Sequence, residues 1–227
     1  MKLCVALDLP SAKENLELVE QIKAYDVWLK VGLRAFIRDG YGFLTQLKAI
    51  NPNFKIFLDL KLHDIPNTMA DAAQEISKFG VDMFNVHASA GKIAMKEVMQ
   101  RIKECEKQPI VLAVTALTSF DEENFQAVYS QDIASKATQF AKDAYESGIQ
   151  GVVCSAFESK AIKQNSSPSF ITLCPGIRPF GEEAQDQKRV ADIALAKQEL
   201  VDFIVVGRPI YKSNNPAKVV KEILENI

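Results

Sequence analysis

Eight short, almost continuous apolar runs recur along the chain, each followed by a stretch of helical periodicity, and this alternation restricts the fold more than any other feature. The runs cover residues 3–8, 27–31, 55–61, 83–87, 110–116, 151–155, 170–174 and 202–207. Apolar residues at successive positions, not alternate ones, mark strands covered on both faces, as in a parallel sheet under helices. Helices are expected over 34–50, 66–80, 89–107, 132–148, 157–164, 184–198 and 216–226, and Ser11-Ala-Lys-Glu14 reads as a capping box opening an earlier one. Eight such units within 227 residues fit an α/β fold of the (β/α)₈ barrel type, with a doubly wound open sheet as the alternative. No linker, charge run or repeat divides the chain, so a single domain over residues 1–227 is expected.

A barrel of this kind places its chemistry at the C-terminal ends of the strands. The polar residues of this chain collect there. The first run ends in Asp8, the second in Lys30, the third in Asp59-Leu-Lys61, and the last two in Pro175-Gly-Ile-Arg178 and Val206-Gly-Arg208. Strand side chains alternate between faces. Asp59 and Lys61 therefore share a face with Phe57, Lys30 with Trp28, and Asp8 with Cys4 and Ala6. Leu58, Leu60 and Leu62 take the opposite face, against the helices. Two carboxylates and two ammonium groups of alternating sign can thus converge at one mouth. They would form either a reaction centre or a structural ion-pair network. Gly207 would let backbone N–H groups approach an oxyanion, and Arg208 and Arg178 would add forked cations. The long polar stretch 175–187 reads as a binding loop or a surface excursion.

Other classes fit poorly. A net charge of −2 and a pI near 5.8 argue against nucleic-acid binding through phosphate contacts. No apolar run reaches the ~18 residues of a membrane span, and MKLCVALDLP lacks the apolar core of a signal peptide. Cys4, Cys105, Cys154 and Cys174 are widely spaced, which predicts neither a disulfide framework nor a zinc site but a reduced, cytoplasmic protein. His63 and His87 read as hydrogen-bonded structural histidines, with no metal site expected. No P-loop and no G-x-G-x-x-G follows a strand, so a nucleotide cofactor is not expected.

The stretch Asp59-Leu-Lys-Leu-His-Asp-Ile-Pro-Asn-Thr68 resembles the signature of the orotidine 5′-phosphate decarboxylase family. The likeness runs along the whole chain. It takes in Val5-Ala-Leu-Asp8, Leu29-Lys-Val-Gly32, Leu117-Thr-Ser119, Pro175-Gly-Ile-Arg-Pro179, Asp186-Gln-Lys-Arg189 and Val206-Gly-Arg-Pro-Ile210, in that order. The resemblance implies a homodimeric (β/α)₈ barrel that converts orotidine 5′-phosphate to uridine 5′-phosphate and carbon dioxide, without metal or organic cofactor. It implies that Asp8 and Lys30 contact the ribose, that Asp59 lies by the substrate carboxylate, and that Lys61 protonates carbon 6. Asp64 would reach the neighbouring subunit's site, lined also by Ile65 and Thr68. Thr118 or Ser119 would meet the pyrimidine. Pro175, Arg178, Gln187, Gly207 and Arg208 would line the phosphate side, with Gln187 on a closing loop. Relatives acting on sugar phosphates share the D-x-K-x-x-D piece but use Mg²⁺ and carry an acidic ligand at the end of the second strand, where this chain has Lys30.

Overall fold

The computed structural model describes residues 1–181 and 189–227. Eight parallel strands close into a barrel in sequence order, β1 pairing with both β2 and β8. The strands are β1 (Lys2–Ala6), β2 (Trp28–Gly32), β3 (Lys55–Leu62), β4 (Met83–His87), β5 (Ile110–Val114), β6 (Gly151–Val153), β7 (Ile171–Cys174) and β8 (Phe203–Val206). Around them lie α1 (Ala12–Ile22), α2 (Leu33–Ile50), α3 (Pro66–Lys78), α4 (Gly91–Lys103), α5 (Glu122–Tyr129), α6 (Ile133–Glu146), α7 (Ala156–Gln164), α8 (Ile193–Gln198), α9 (Arg208–Tyr211) and α10 (Pro216–Glu225). This is the (β/α)₈ barrel, and the open-sheet alternative is excluded by the β1–β8 pairing.

Side-chain parity sorts the core into two compartments. Leu3, Val5, Leu29, Ile56, Leu58, Val86, Val111, Val152, Ile204 and Val206 face outward and pack under the helices. Cys4, Ala6, Trp28, Phe57, Met83, Leu112, Val153, Leu173, Phe203 and Val205 fill the barrel. Trp28 and Phe203 meet edge to face at 5.2 Å, and Lys2 lies over both rings. The inner set contains the residues whose parity Asp8, Lys30, Asp59 and Lys61 share.

Several strands are shorter than the apolar runs, whereas β4 matches its run and β3 extends one residue further, to Leu62. β1 stops at Ala6, two residues before Asp8, and β5 stops at Val114 rather than residue 116. Apolar residues continue into the loops because the loops also cover core. At α1, Ser11 accepts from the N–H of Glu14, but the Glu14 carboxylate accepts from the Ser11 hydroxyl, so only half of the expected capping box forms. The helix expected from residue 89 starts at Gly91 after a short 3₁₀ turn, Ala88–Ala90. Helix α8 begins only at Ile193, capped by Asp192; the earlier part of the helix expected from residue 184 falls largely outside the described residues. Helix α5 was not expected. Asp121 caps it, and only Phe125 among its residues is buried, which leaves no apolar period to read.

Gly151 shows how tightly the barrel closes. A Cβ there would stand 2.3 Å from the Ile171 carbonyl oxygen on β7. Backbone cannot yield as a flexible side chain does. Gly151→Ala is expected to destabilise the protein by about 3 kcal/mol, lowering the melting temperature by roughly 6–12 °C in a chain of this size. A melt within 2 °C of the parent would contradict the packing argument.

Candidate active site

Asp8, Lys30, Asp59 and Lys61 meet at the C-terminal mouth of the barrel, above a floor that includes Ala6, Phe57, Val114 and Val205, around a cavity of about 290 Å³. Lys30 Nζ lies 3.4 Å from Asp8 Oδ1 and 3.5 Å from Asp59 Oδ2, and Lys61 Nζ donates to Asp59 Oδ1 at 2.6 Å. The four charges alternate along the row Asp8, Lys30, Asp59, Lys61. Gly32 leaves room for it, since a Cβ there would come within 3.0 Å of Lys30 Nζ. Although Asp8 lies beyond β1, Arg34 of α2 holds its backbone by donating to the carbonyl oxygens of Asp8 at 2.5 Å and Leu9 at 3.1 Å.

Burial by itself would lower the pKa of Lys30, but Asp59 and Asp8 more than offset it and the pKa rises. Burial would raise that of Asp59; Lys30, Lys61 and the hydrogen bonds from Lys61 and Asn85 reverse this, and it falls. Lys30 and Asp59 are thus kept charged by their neighbours.

Strand β3 reaches this geometry through an irregularity. Leu58 pairs with Phe84 and Leu62 with Val86, so four residue steps on β3 stand against two on β4. An excess of two preserves parity, and Leu60 and Leu62 still pack outward. Lys61 itself is left-handed, with φ of 55°. Asn85, fully buried on β4, fills the space beneath: its Oδ1 accepts from Lys61 N at 2.7 Å and its Nδ2 donates to Asp59 Oδ1 at 2.7 Å.

The same cavity is lined by Thr118, Ser119, Pro175, Arg178, Gly207 and Arg208. Thr118 and Ser119 lie in the loop after β5. Arg178 is buried, and its backbone N–H donates to Ala191 O at 2.8 Å, tying down the segment after β7. Gly207 precedes the short α9 and packs close, since a Cβ would meet Ala6 Cβ and Tyr211 Cε1 at 3.3 Å. Tyr211 also lines the cavity and was not expected there; nothing in the sequence marks it apart from other helix aromatics. Asp64, Ile65 and Thr68 are exposed outside this cavity, at the start of α3, where Asp64 Oδ1 accepts from Ile65 N at 2.7 Å. Gln187 lies outside the described residues.

Both histidines flank the site. His87 Nδ1 is 2.7 Å from Ser89 Oγ, and the two imidazoles stand 5.7 Å apart. Burial, then His63 and Lys61, push the His87 pKa down to about 4. A depressed histidine contributes stability that is present above its unfolded pKa of ~6.5 and lost as pH falls toward the folded value. Relative to His87→Asn, the parent is therefore expected to lose at most about 3 kcal/mol between pH 6.5 and 4, less whatever solvent screens. Urea unfolding of both proteins at several pH values measures the gap; a gap constant with pH would refute the assignment.

Known proteins are similar to this chain over its whole length. The chain is 67% identical over 227 residues to an orotidine 5′-phosphate decarboxylase of a Nitratiruptor species, covering 100% of both chains. It is 68% identical over the same length to the enzyme of that name from Sulfurimonas denitrificans, again covering 100% of both. The crystal structure of orotidine 5′-phosphate decarboxylase from Lactobacillus acidophilus superposes with a TM-score of 0.85 at 31% identity, over 99% of this chain and 98% of that one. The family model for orotidine 5′-phosphate decarboxylase / HUMPS matches residues 1–223, a span holding the whole charged row, the bulged strand beneath it and the two arginines that line the cavity. On barrel, site and whole-length likeness alike, this chain belongs to the orotidine 5′-phosphate decarboxylase / HUMPS family.

Proposed function

We propose that the protein decarboxylates orotidine 5′-phosphate to uridine 5′-phosphate and carbon dioxide in pyrimidine biosynthesis, with Lys61 as the proton donor. The observation that carries this reading is the alternating row of Asp8, Lys30, Asp59 and Lys61 in one cavity with Arg178 and Arg208. A nucleotide with an acidic base and a 5′-phosphate matches both the charged row and the arginines. Asp8 and Lys30 hold the ribose hydroxyls, Thr118 or Ser119 the pyrimidine, and Pro175, Arg178, Gln187, Gly207 and Arg208 the phosphate side, with Gln187 on the closing loop. The substrate carboxylate lies against Asp59. Its bond to carbon 6 breaks, the electron pair stays on carbon 6, and carbon dioxide leaves. The Lys61 ammonium stabilises that charge and gives it a proton, and solvent restores the lysine. Phosphate contacts remote from carbon 6 supply binding energy for closure.

Lys30 separates this reading from the Mg²⁺-using sugar-phosphate chemistry suggested by the shared D-x-K-x-x-D piece. Its ammonium stands between Asp8 and Asp59, where a divalent ion would meet a like charge. No metal or organic cofactor is called for by this chemistry. A second copy of the chain completes the site. Leu33 and Ile37 stand four apart on α2, Tyr41 follows the kink at Gly40 in that helix, Ile65 precedes α3 and Ile93 lies on α4; all five are exposed large apolar side chains. Exposed apolar side chains of this kind suit a homodimer, in which Asp64, with Ile65 and Thr68, reaches the neighbouring site. Among the described residues no helix is long and apolar enough to cross a membrane. Three of the four cysteines are buried and act as small hydrophobes, consistent with the cytoplasm.

The test is the loss of orotidine 5′-phosphate absorbance in the presence of EDTA. Steady turnover is expected. An absolute need for Mg²⁺, or no consumption by folded protein, would overturn the assignment.

A further inference from the structure

We propose that Asn85 is a positioning residue for Lys61 and Asp59, holding the bulged end of β3 in the one conformation that aims the lysine. The inference rests on the decarboxylase reading above. Lys61 N can only donate and the Asp59 carboxylate can only accept, so the amide orientation of Asn85 is fixed by its partners: oxygen toward Lys61 N, nitrogen toward Asp59 Oδ1, both at 2.7 Å. The same Asp59 oxygen accepts from Lys61 Nζ at 2.6 Å. One buried amide thus grips the lysine twice, at its backbone directly and at its ammonium through Asp59.

That grip answers a specific need. Opposite the bulge, β3 carries two residues more than β4, so the Lys61 N–H has no regular ladder partner on β4. Lys61 is also left-handed at φ 55°, a conformation disfavoured for a side chain with a Cβ. A left-handed lysine persists where its surroundings over-determine it, and such residues gather at functional sites. Asn85 is fully buried and does not line the cavity, so it acts on substrate only through its two partners. Apolar neighbours on its own face, such as Met83, could fill the space but could not bond to either partner.

Two variants test this. In Asn85→Ala, both hydrogen bonds are lost. The turnover number is expected to fall about 100-fold, the effect of a misaimed catalytic group, while KM for orotidine 5′-phosphate and the dissociation constant for uridine 5′-monophosphate stay within about threefold. Asn85→Asp separates positioning from mere packing. When protonated, the introduced carboxyl can accept from Lys61 N and donate to Asp59 as the amide does. When ionised it cannot donate, and it repels Asp59. Its turnover, divided by that of the parent at each pH, is therefore expected to rise at least about tenfold from pH 8 to pH 5.5. The charged groups around this position are Asp59 and Lys61 on β3, Lys30 on β2, Asp8 after β1, and His87 with His63 nearby; all are unchanged, and the ratio to the parent removes their titration. A turnover number for folded Asn85→Ala within threefold of the parent overturns the inference. So does a ratio for Asn85→Asp that is flat or falls toward pH 5.5, or failure of that variant to fold at pH 5.5, where its carboxyl is an isosteric stand-in. A parent protein that consumes no orotidine 5′-phosphate overturns the decarboxylase reading instead, a result separate from all of these.

Discussion

Replacing Lys61 by alanine is expected to cut turnover by about 10⁴-fold or more, because one side chain supplies both charge stabilisation and the proton. The fold should tolerate the change. The Lys61 side chain is 36% exposed, and Asp59 keeps Lys30 at 3.5 Å and the Asn85 amide at 2.7 Å after its loss. A pair this accessible contributes roughly 1 kcal/mol or less to stability. Arg178 and Arg208 also line the cavity and are untouched, so affinity for uridine 5′-monophosphate should change little. Steady-state kinetics and calorimetric titration of the product check both halves. Turnover within tenfold of the parent would remove Lys61 from the chemistry. Intact turnover together with lost binding would make it a ligand contact only.

How much of this was open to reading in the sequence differs from element to element. The barrel was legible because both strand faces are buried, and buried strands write continuous apolar runs. Parity was legible for the same reason: Phe57, Trp28, Cys4 and Ala6, whose faces the charged residues share, all fill the barrel interior. The bulge in β3 was not. An excess of two residues leaves parity intact, so KIFLDLKL reads the same with or without it. Nor does Lys61 announce a left-handed backbone, which sequence reasoning looks for at Gly, Asn or Asp. Asn85 looked like any polar residue near a strand end. The signal that could have found it is physical: a buried amide in the inner layer of a barrel must have partners, and the charged row above is the place to seek them. Asp64, Ile65 and Thr68 stand outside the cavity of the single chain, so their proposed place in a neighbour's site came from resemblance and not from spacing.

Asp59→Asn keeps shape and size while removing one charge, and its expected result separates binding from catalysis. In the parent the row of Asp8, Lys30, Asp59 and Lys61 sums to zero; in the variant it carries one positive charge. A substrate carboxylate placed there would lose a repelling neighbour and keep two lysines, so KM should stay level or fall. Turnover should nonetheless drop by about 10³-fold, because the acceptor that holds the Lys61 ammonium at 2.6 Å loses its negative charge. Stability should fall as well. The side chains of Asp59 and Lys30 are only 13% and 12% exposed, and breaking a pair so placed costs roughly 2 kcal/mol here, since Lys30 retains Asp8. The sign with pH follows from the depressed pKa of Asp59: its contribution is present above the unfolded carboxylate pKa of ~3.9 and disappears as pH falls through the folded value. Parent and variant should therefore converge in stability under acid and separate at neutral pH. If KM rose more than tenfold while turnover held, Asp59 would be a binding group for the ribose or base, and the carboxylate-against-carboxylate placement would have to be abandoned. If turnover fell and stability did not change with it, the row would be a catalytic device with no share in holding the barrel mouth together.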